Sequence, residues 1–170
     1  MKKLCTFVFA LLLTNVVMGA EALKAKVTWV SDGDSFVVEK EDGSTARVRC
    51  ACIDAPENDQ PYGDTAKKAA IKMLKDKEIL VQVVKVDKYG RIVGRVAVKQ
   101  DDGKYLDYEY YMLENGHVWQ FSKAYPDEKA KAIETEARKK KLGLWNTKNP
   151  VEPWEWRWRG MGQGKWHERD

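Results

Sequence analysis

From residue 23 onward, apolar and polar positions alternate in short runs, the period-two pattern of half-buried strands. Residues 24–30 (KAKVTWV) lead into the turn Ser31-Asp32-Gly33-Asp34, and residues 35–39 resume the alternation. Glu41-Asp42-Gly43 is a hairpin turn signal, and residues 45–53 form a third strand. The period then changes. Asp64 is a candidate N-cap, and Ala66, Ala69, Ala70, Met73 and Leu74 recur at helical spacing, which predicts a helix over 64–75. Valine-rich residues 78–86 and residues 92–98 predict two more strands around the turn Asp87-Lys88-Tyr89-Gly90-Arg91. A short helix is expected over 106–114, ended by Asn115-Gly116, then an extended or irregular segment over 118–121. A long charged helix follows over 127–141. Five strands in a meander, with a helix after the third, predict a β-barrel with helices: a five-stranded OB-fold with about three α-helices. A generic α+β sandwich is the other class compatible with this order.

Composition adds boundaries. A chain of 170 residues defaults to one domain. Its formal net charge of +4 is compatible with a nucleic-acid partner but does not require one. Residues 1–22 combine two lysines, an apolar run and Ala20-Glu21-Ala22, and read as a cleavable secretory signal rather than an anchor. The mature protein is then expected to be secreted or periplasmic, without a stable membrane anchor. Removing Lys2, Lys3 and Glu21 leaves a net charge of +3. Cys5 leaves with that segment. Cys50 and Cys52 stand two apart in a strand, near the upper limit of disulfide reach, and read as buried free thiols. Residues 23–148 form the expected barrel domain. In the tail, 149–170, Trp154, Trp156 and Trp158 alternate with Glu155, Arg157 and Arg159. That stripe reads as a last extended segment packed on the barrel, with stacking on bases or glycans as its alternative.

Three strand ends carry polar residues that could do chemistry. They are Asp32-Gly33-Asp34-Ser35, Arg49 with Asp54, Pro56 and Glu57, and Lys88-Tyr89-Gly90-Arg91. Each alone is an ordinary turn or strand exit. Together, in a barrel of this order, Asp34 and Asp54 would share one site. Their repulsion would be relieved by a hard divalent cation, Ca²⁺ or Mg²⁺. Arg49 and Arg91 offer forked donors for phosphate oxygens. Glu57 could take a proton from water. The set suits hydrolysis of a phosphodiester.

The segments VTWVSDGDSFVV, RVRCACIDAPE, QPYGDTAKKAA, DKYGRIVGRV, ENGHVW and EARKKKLGLW resemble, in order, those of the staphylococcal-nuclease-like (thermonuclease) family. The tail is similar to that of secreted Gram-negative members. The resemblance implies a Ca²⁺-dependent endonuclease acting on DNA and RNA with little sequence preference, leaving 3′-phosphate ends. It is expected to work as a monomer with no protein partner. The resemblance assigns the metal to Asp34, Asp54 and the carbonyl of Ala55, phosphate binding to Arg49 and Arg91, and general-base work to Glu57. Lys88 and Tyr89 fall where the family contacts nucleotide phosphate. Ala55 and Ser35 each replace a threonine, and the loop over 58–63 lacks a lysine-rich insertion. Trp119, Phe121 and Tyr125 lie in the region of the family's base-stacking tyrosines without a residue-by-residue match. The runner-up function is a non-catalytic OB-fold protein of the cell envelope that binds nucleic acid.

Overall fold

The computed structural model describes residues 22–122 and 125–162. The candidate signal segment lies outside the described residues, apart from Ala22, as does the chain beyond 162. The elements in chain order are β1 (Ala22–Val30), β2 (Ser35–Lys40), β3 (Thr45–Cys50), β4 (Ile53–Asp54) and α1 (Gly63–Leu74). They continue with β5 (Glu78–Val86), β6 (Ile92–Lys99), β7 (Tyr105–Asp107), α2 (Tyr108–Glu114), β8 (Trp119–Gln120), α3 (Glu128–Lys139) and α4 (Pro153–Gly162).

The sheet runs β3-β2-β1-β5-β6-β7, and a parallel pairing of β3 with β6 closes it. The result is the expected five-stranded OB barrel of β1, β2, β3, β5 and β6, with β7 added at an edge. Closure follows from the alternation. Val27, Phe36, Val38, Val48, Ile79, Val81 and Val98 all turn inward and are buried. Ala70 and Leu74 of α1 and Met112 and Leu113 of α2 belong to the same core. The long side of the pairing places Arg49 beside Val93, so the hairpin tip that carries Arg91 comes to rest next to β3.

Several boundaries differ from the sequence expectation, each for a local reason. The third strand stops at Cys50, where the chain bends over Glu109: the N–H groups of Ala51 and Cys52 donate to Glu109 Oε1, at 2.8 and 3.2 Å, and Ala51 N also donates to Gly94 O of β6 at 3.0 Å. Its continuation becomes β4, which pairs with β8. The helix expected from 106 begins at Tyr108, since Asp107 caps it by accepting from Tyr110 N while still paired with Ala97 on β6. Asp64 is not a cap: α1 starts at Gly63 after Tyr62 in the left-handed region, and Asp64 pairs with Lys68 on the exposed face. The largest correction is the tail. Residues 153–162 are helical, not extended. Tryptophans two apart on a helix point to different sides: Trp154 packs against Trp119 and Phe121, and Trp156 donates to Asp59. Trp158, one turn beyond Trp154, is 74% exposed. Cys50 and Cys52 are buried free thiols, as expected.

Candidate active site

The strand ends named above converge on a cleft of about 550 Å³ between the β1–β2 turn, the end of β4 and the β5–β6 hairpin. Its floor is set by β2–β3 pairing. Ser35 stands opposite Arg49, and Asp34 O accepts from Cys50 N at 2.9 Å. Gly33 makes this approach possible: a Cβ there would lie 2.7 Å from that of Ala55. Asp34 is buried; its Oδ2 accepts from Ala55 N at 2.7 Å and its Oδ1 from Ser35 Oγ at 2.8 Å.

Arg49 joins the two buried aspartates. One guanidinium nitrogen donates to Asp34 Oδ1 and the other to Asp54 Oδ1 at 2.8 Å. Burial pulls the Asp34 carboxyl up, but the Arg49 charge and the Ala55 N–H hold it below the ordinary range. Burial also works against the Arg49 cation, and the charges of Asp34 and Asp54 overcome it and raise the guanidinium pKa. Asp32, beneath the turn, accepts from the N–H groups of Asp34 and Ser35. Burial, with the Asp34 charge beside it, pushes Asp32 up to about 8.

Glu57 reaches the cleft from the loop after β4, half-buried. Gln60 fixes that loop: its side chain accepts from Glu57 N at 3.0 Å, and its backbone N–H donates to Glu57 O at 2.9 Å. Gly63 is required there, because a Cβ would sit 1.9 Å from the Glu57 carbonyl oxygen. Arg91 stands at the rim. Asp87 orients it by accepting from both its backbone N–H and its Nε, the latter at 2.8 Å. Tyr89 lines the cleft and is exposed, with Arg91 and Lys88 over its ring. Lys88 is exposed at the hairpin tip.

All eight residues singled out in the sequence thus gather at or beside one cleft. The sequence reading missed Arg157. From α4 it donates to Asp54 Oδ2 at 2.7 Å, Asp54 Oδ1 at 3.2 Å and Glu57 Oε1 at 2.7 Å. It also missed Arg47, which lines the cleft and donates to the carbonyl of Tyr89. The clue for Arg157 was an arginine inside a tryptophan-rich stretch, which masked it. Of the three aromatics left unassigned, Trp119 is buried in a cluster with Trp145, Phe121 lines the cleft, and Tyr125 packs on the barrel core.

The arrangement is one of buried hard-oxygen donors beneath a rim of guanidiniums, suited to an anion that carries a phosphorus. Comparison with known proteins agrees. The "Staphylococcal nuclease homologue" family model matches residues 47–147. "Staphylococcal-like nuclease CAN1" of Arabidopsis thaliana is 39% identical over 123 residues, which are 71% of this chain and 36% of that protein. An Escherichia coli protein named only as an uncharacterized endonuclease is 33% identical over 132 residues, 78% of this chain and 83% of its own. "Protein ParB" of Escherichia coli is 34% identical over 138 residues, 78% of this chain and 77% of its own. The chain therefore spans about a third of the plant relative and most of the two bacterial ones. With its barrel, its cleft and a match over most of its length, this chain belongs to the staphylococcal nuclease homologue family.

Proposed function

We propose that this chain hydrolyses phosphodiester bonds of DNA and RNA as an endonuclease with little sequence preference, leaving 3′-phosphate ends. The observation that carries the reading is the linkage of Asp34, Arg49, Asp54 and Glu57 in one cleft with Arg91 at its rim. Family membership supports nucleic acid as substrate and dependence on a divalent cation. The donor set fits such an ion: Asp34 and Asp54 supply carboxylate oxygens, and Ala55 a backbone carbonyl. No group of three His, Cys, Asp or Glu side chains suited to a metal occurs among the described residues. Water or substrate oxygens would therefore complete the sphere of Ca²⁺, the ion we assign to the site. When bound, the ion would neutralise charge building on the phosphate.

The chain's own residues do the rest. Arg49, locked between two carboxylates, presents fixed positive charge at the floor and needs little reorganisation. Arg91 offers a second guanidinium from the opposite wall, its direction set by Asp87. Glu57, on a loop held by Gln60, is placed to take the proton of the attacking water. That water's oxygen bonds to phosphorus as the bond to the 5′ oxygen breaks, and the 5′ oxygen leaves with the electron pair and takes a proton from solvent to become a hydroxyl. Tyr89 and Phe121 line the cleft and offer ring faces on which any base can stack, which supports weak sequence preference. Residues 1–22 support export to the periplasm or beyond.

The test is cleavage of single-stranded DNA and of RNA by the purified protein in Ca²⁺, Mg²⁺ or EDTA, with Glu57→Gln as control. Ca²⁺-dependent cleavage absent from the variant is the expected result. Binding without cleavage in any metal would instead assign a non-catalytic nucleic-acid-binding module.

A further inference from the structure

We propose that Arg157 is a third substrate-phosphate arginine, delivered to the cleft by the C-terminal helix and made available to substrate when a divalent cation takes over Asp54, one of its two carboxylate partners in the cleft. The inference rests on the hydrolytic reading above for the identity of the substrate, and on geometry for the residue.

The delivery is built independently of the ion pairs. Trp154 packs on Trp119 and Phe121, with ring centroids 6.1 Å apart in both cases. Gln60, the residue that cinches the Glu57 loop, donates to Val151 O at 2.7 Å just before α4. Trp156 Nε1 donates to Asp59 at 3.2 Å on the same loop. One turn of α4 is therefore clamped to the loop that carries Glu57, and Arg157 follows with its side chain in the cleft.

Charge decides what the guanidinium does there. The side chains joined by hydrogen-bonded ion pairs are three carboxylates, Asp34, Asp54 and Glu57, and two guanidiniums, Arg49 and Arg157. This set by itself carries one net negative charge, with Arg47 and Arg91 in the cleft wall beside it. Both oxygens of Asp54 already accept from guanidinium nitrogens. A divalent cation held by Asp54 competes with Arg157 for the same oxygens and reverses the net charge to one positive, the complement of one phosphodiester. Without Arg157 the loaded set would be neutral. The forked donors released from Asp54 match phosphate oxygens in geometry as well as charge. At 29% side-chain exposure, Arg157 is open to the cleft yet not free in solvent.

The test is calorimetric titration of the full chain with thymidine 5′-monophosphate, which carries a phosphate but no internal bond to cleave. Wild type, Arg157→Gln, Arg157→Lys and Trp154→Ala are compared, each in Ca²⁺ and in EDTA. Arg157→Gln is expected to weaken nucleotide binding about tenfold or more in Ca²⁺ and less than about threefold in EDTA. Lysine should recover part of the loss, and Ca²⁺ should bind the Gln variant at least as tightly as wild type. Trp154→Ala, which undocks the helix while keeping the arginine, should reproduce the Ca²⁺-dependent loss. Nucleotide affinity within about twofold of wild type for Arg157→Gln in Ca²⁺ overturns the proposal. If Ca²⁺ affinity then rises, Arg157 is only a competitor of the cation. An equal loss in Ca²⁺ and EDTA also overturns it, since a structural tie has no reason to depend on the cation. Cleavage is scored separately. A wild type that binds the nucleotide but cleaves nothing overturns the hydrolytic reading alone, and the binding ratios still decide the role of Arg157.

Discussion

Two arginine–carboxylate clusters lie in this barrel, and their difference separates function from framework. In the cleft, Arg49 and Arg157 hold Asp34, Asp54 and Glu57. Elsewhere, Arg95 of β6 pairs with Asp107, Glu109 and Asp127. The chemistry is the same, but every carboxylate of the second cluster also holds a helix start or a strand end, which in the cleft only Asp34 does, through Ala55 N. Asp107 caps α2, Asp127 caps α3 by accepting from Ala130 N, and Glu109 receives the N–H groups at the bend after β3. Arg95 thereby ties two helix starts and a strand end to the barrel. In the cleft, Asp34 and Glu57 line space large enough for a ligand, with Asp54 buried behind them and more guanidiniums at the rim. A buried ion pair is weak evidence of function by itself; what its partners do with their remaining lone pairs tells the two apart.

The sharpest way to break the comparison is at Glu57. If the cleft is catalytic, Glu57→Gln should slow hydrolysis by about 10²–10⁴-fold, a barrier increase of about 3–5 kcal/mol. Its melting temperature should stay near that of wild type, because Glu57 caps nothing. Arg91→Ala should act in the same direction. Full activity in a folded Glu57→Gln protein would move the cleft into the same class as the Arg95 cluster.

The converse holds at Arg95. Arg95→Ala leaves Glu109, fully buried, without its counter-charge, and should cost about 3–5 kcal/mol in denaturant unfolding. The rate per folded molecule should change little. A loss of rate without a loss of stability would show that the framework cluster reaches the chemistry.

How far these clusters were legible in the sequence follows from the range of each signal. Alternation placed all five barrel strands, because one buried face imposes a period on the chain. Asp34, Arg49, Asp54, Glu57 and Arg91 were legible because each is a charged residue at a strand or turn where packing does not call for one. Arg157 was not. Its partners are about a hundred residues away, and a run of alternating tryptophans resembles a strand when the helix is fixed instead by docking on Trp119 and Phe121. Glu109 was hidden too: in YEYYMLE it looks like a solvated helix residue, and only its backbone partners at Ala51 and Cys52 reveal its place.

Acidity separates the clusters at a smaller energy. Burial, opposed by Arg95, pushes Glu109 up to about 7 from an ordinary value of 4.5. The unfolded chain releases this proton near 4.5 and the folded chain near 7, so between them the folded state binds more protons. Its contribution to stability is present below 4.5 and declines as pH rises to 7, by up to about 3 kcal/mol. Glu109→Gln holds no such proton, and its urea midpoint should vary less than that of wild type between pH 5 and pH 8. Parallel pH curves for the two proteins would mean that Glu109 is ionised throughout, as an ordinary partner of Arg95.

The smallest effect asks whether charge or capping matters at Asp107. Its Oδ1 accepts from Tyr110 N at 3.0 Å and its Oδ2 from Arg95 at 2.9 Å. Asparagine caps about as well as aspartate, so Asp107→Asn removes only the ion pair, which is partly exposed and contributes roughly 0.2–1 kcal/mol. Asp107→Ala removes the cap as well and should cost about 1 kcal/mol more. If asparagine instead destabilises as much as alanine, the charge and not the cap anchors α2. The Arg95 cluster would then depend on its ion pairs as the cleft does, and the double use of its carboxylates would no longer distinguish the two.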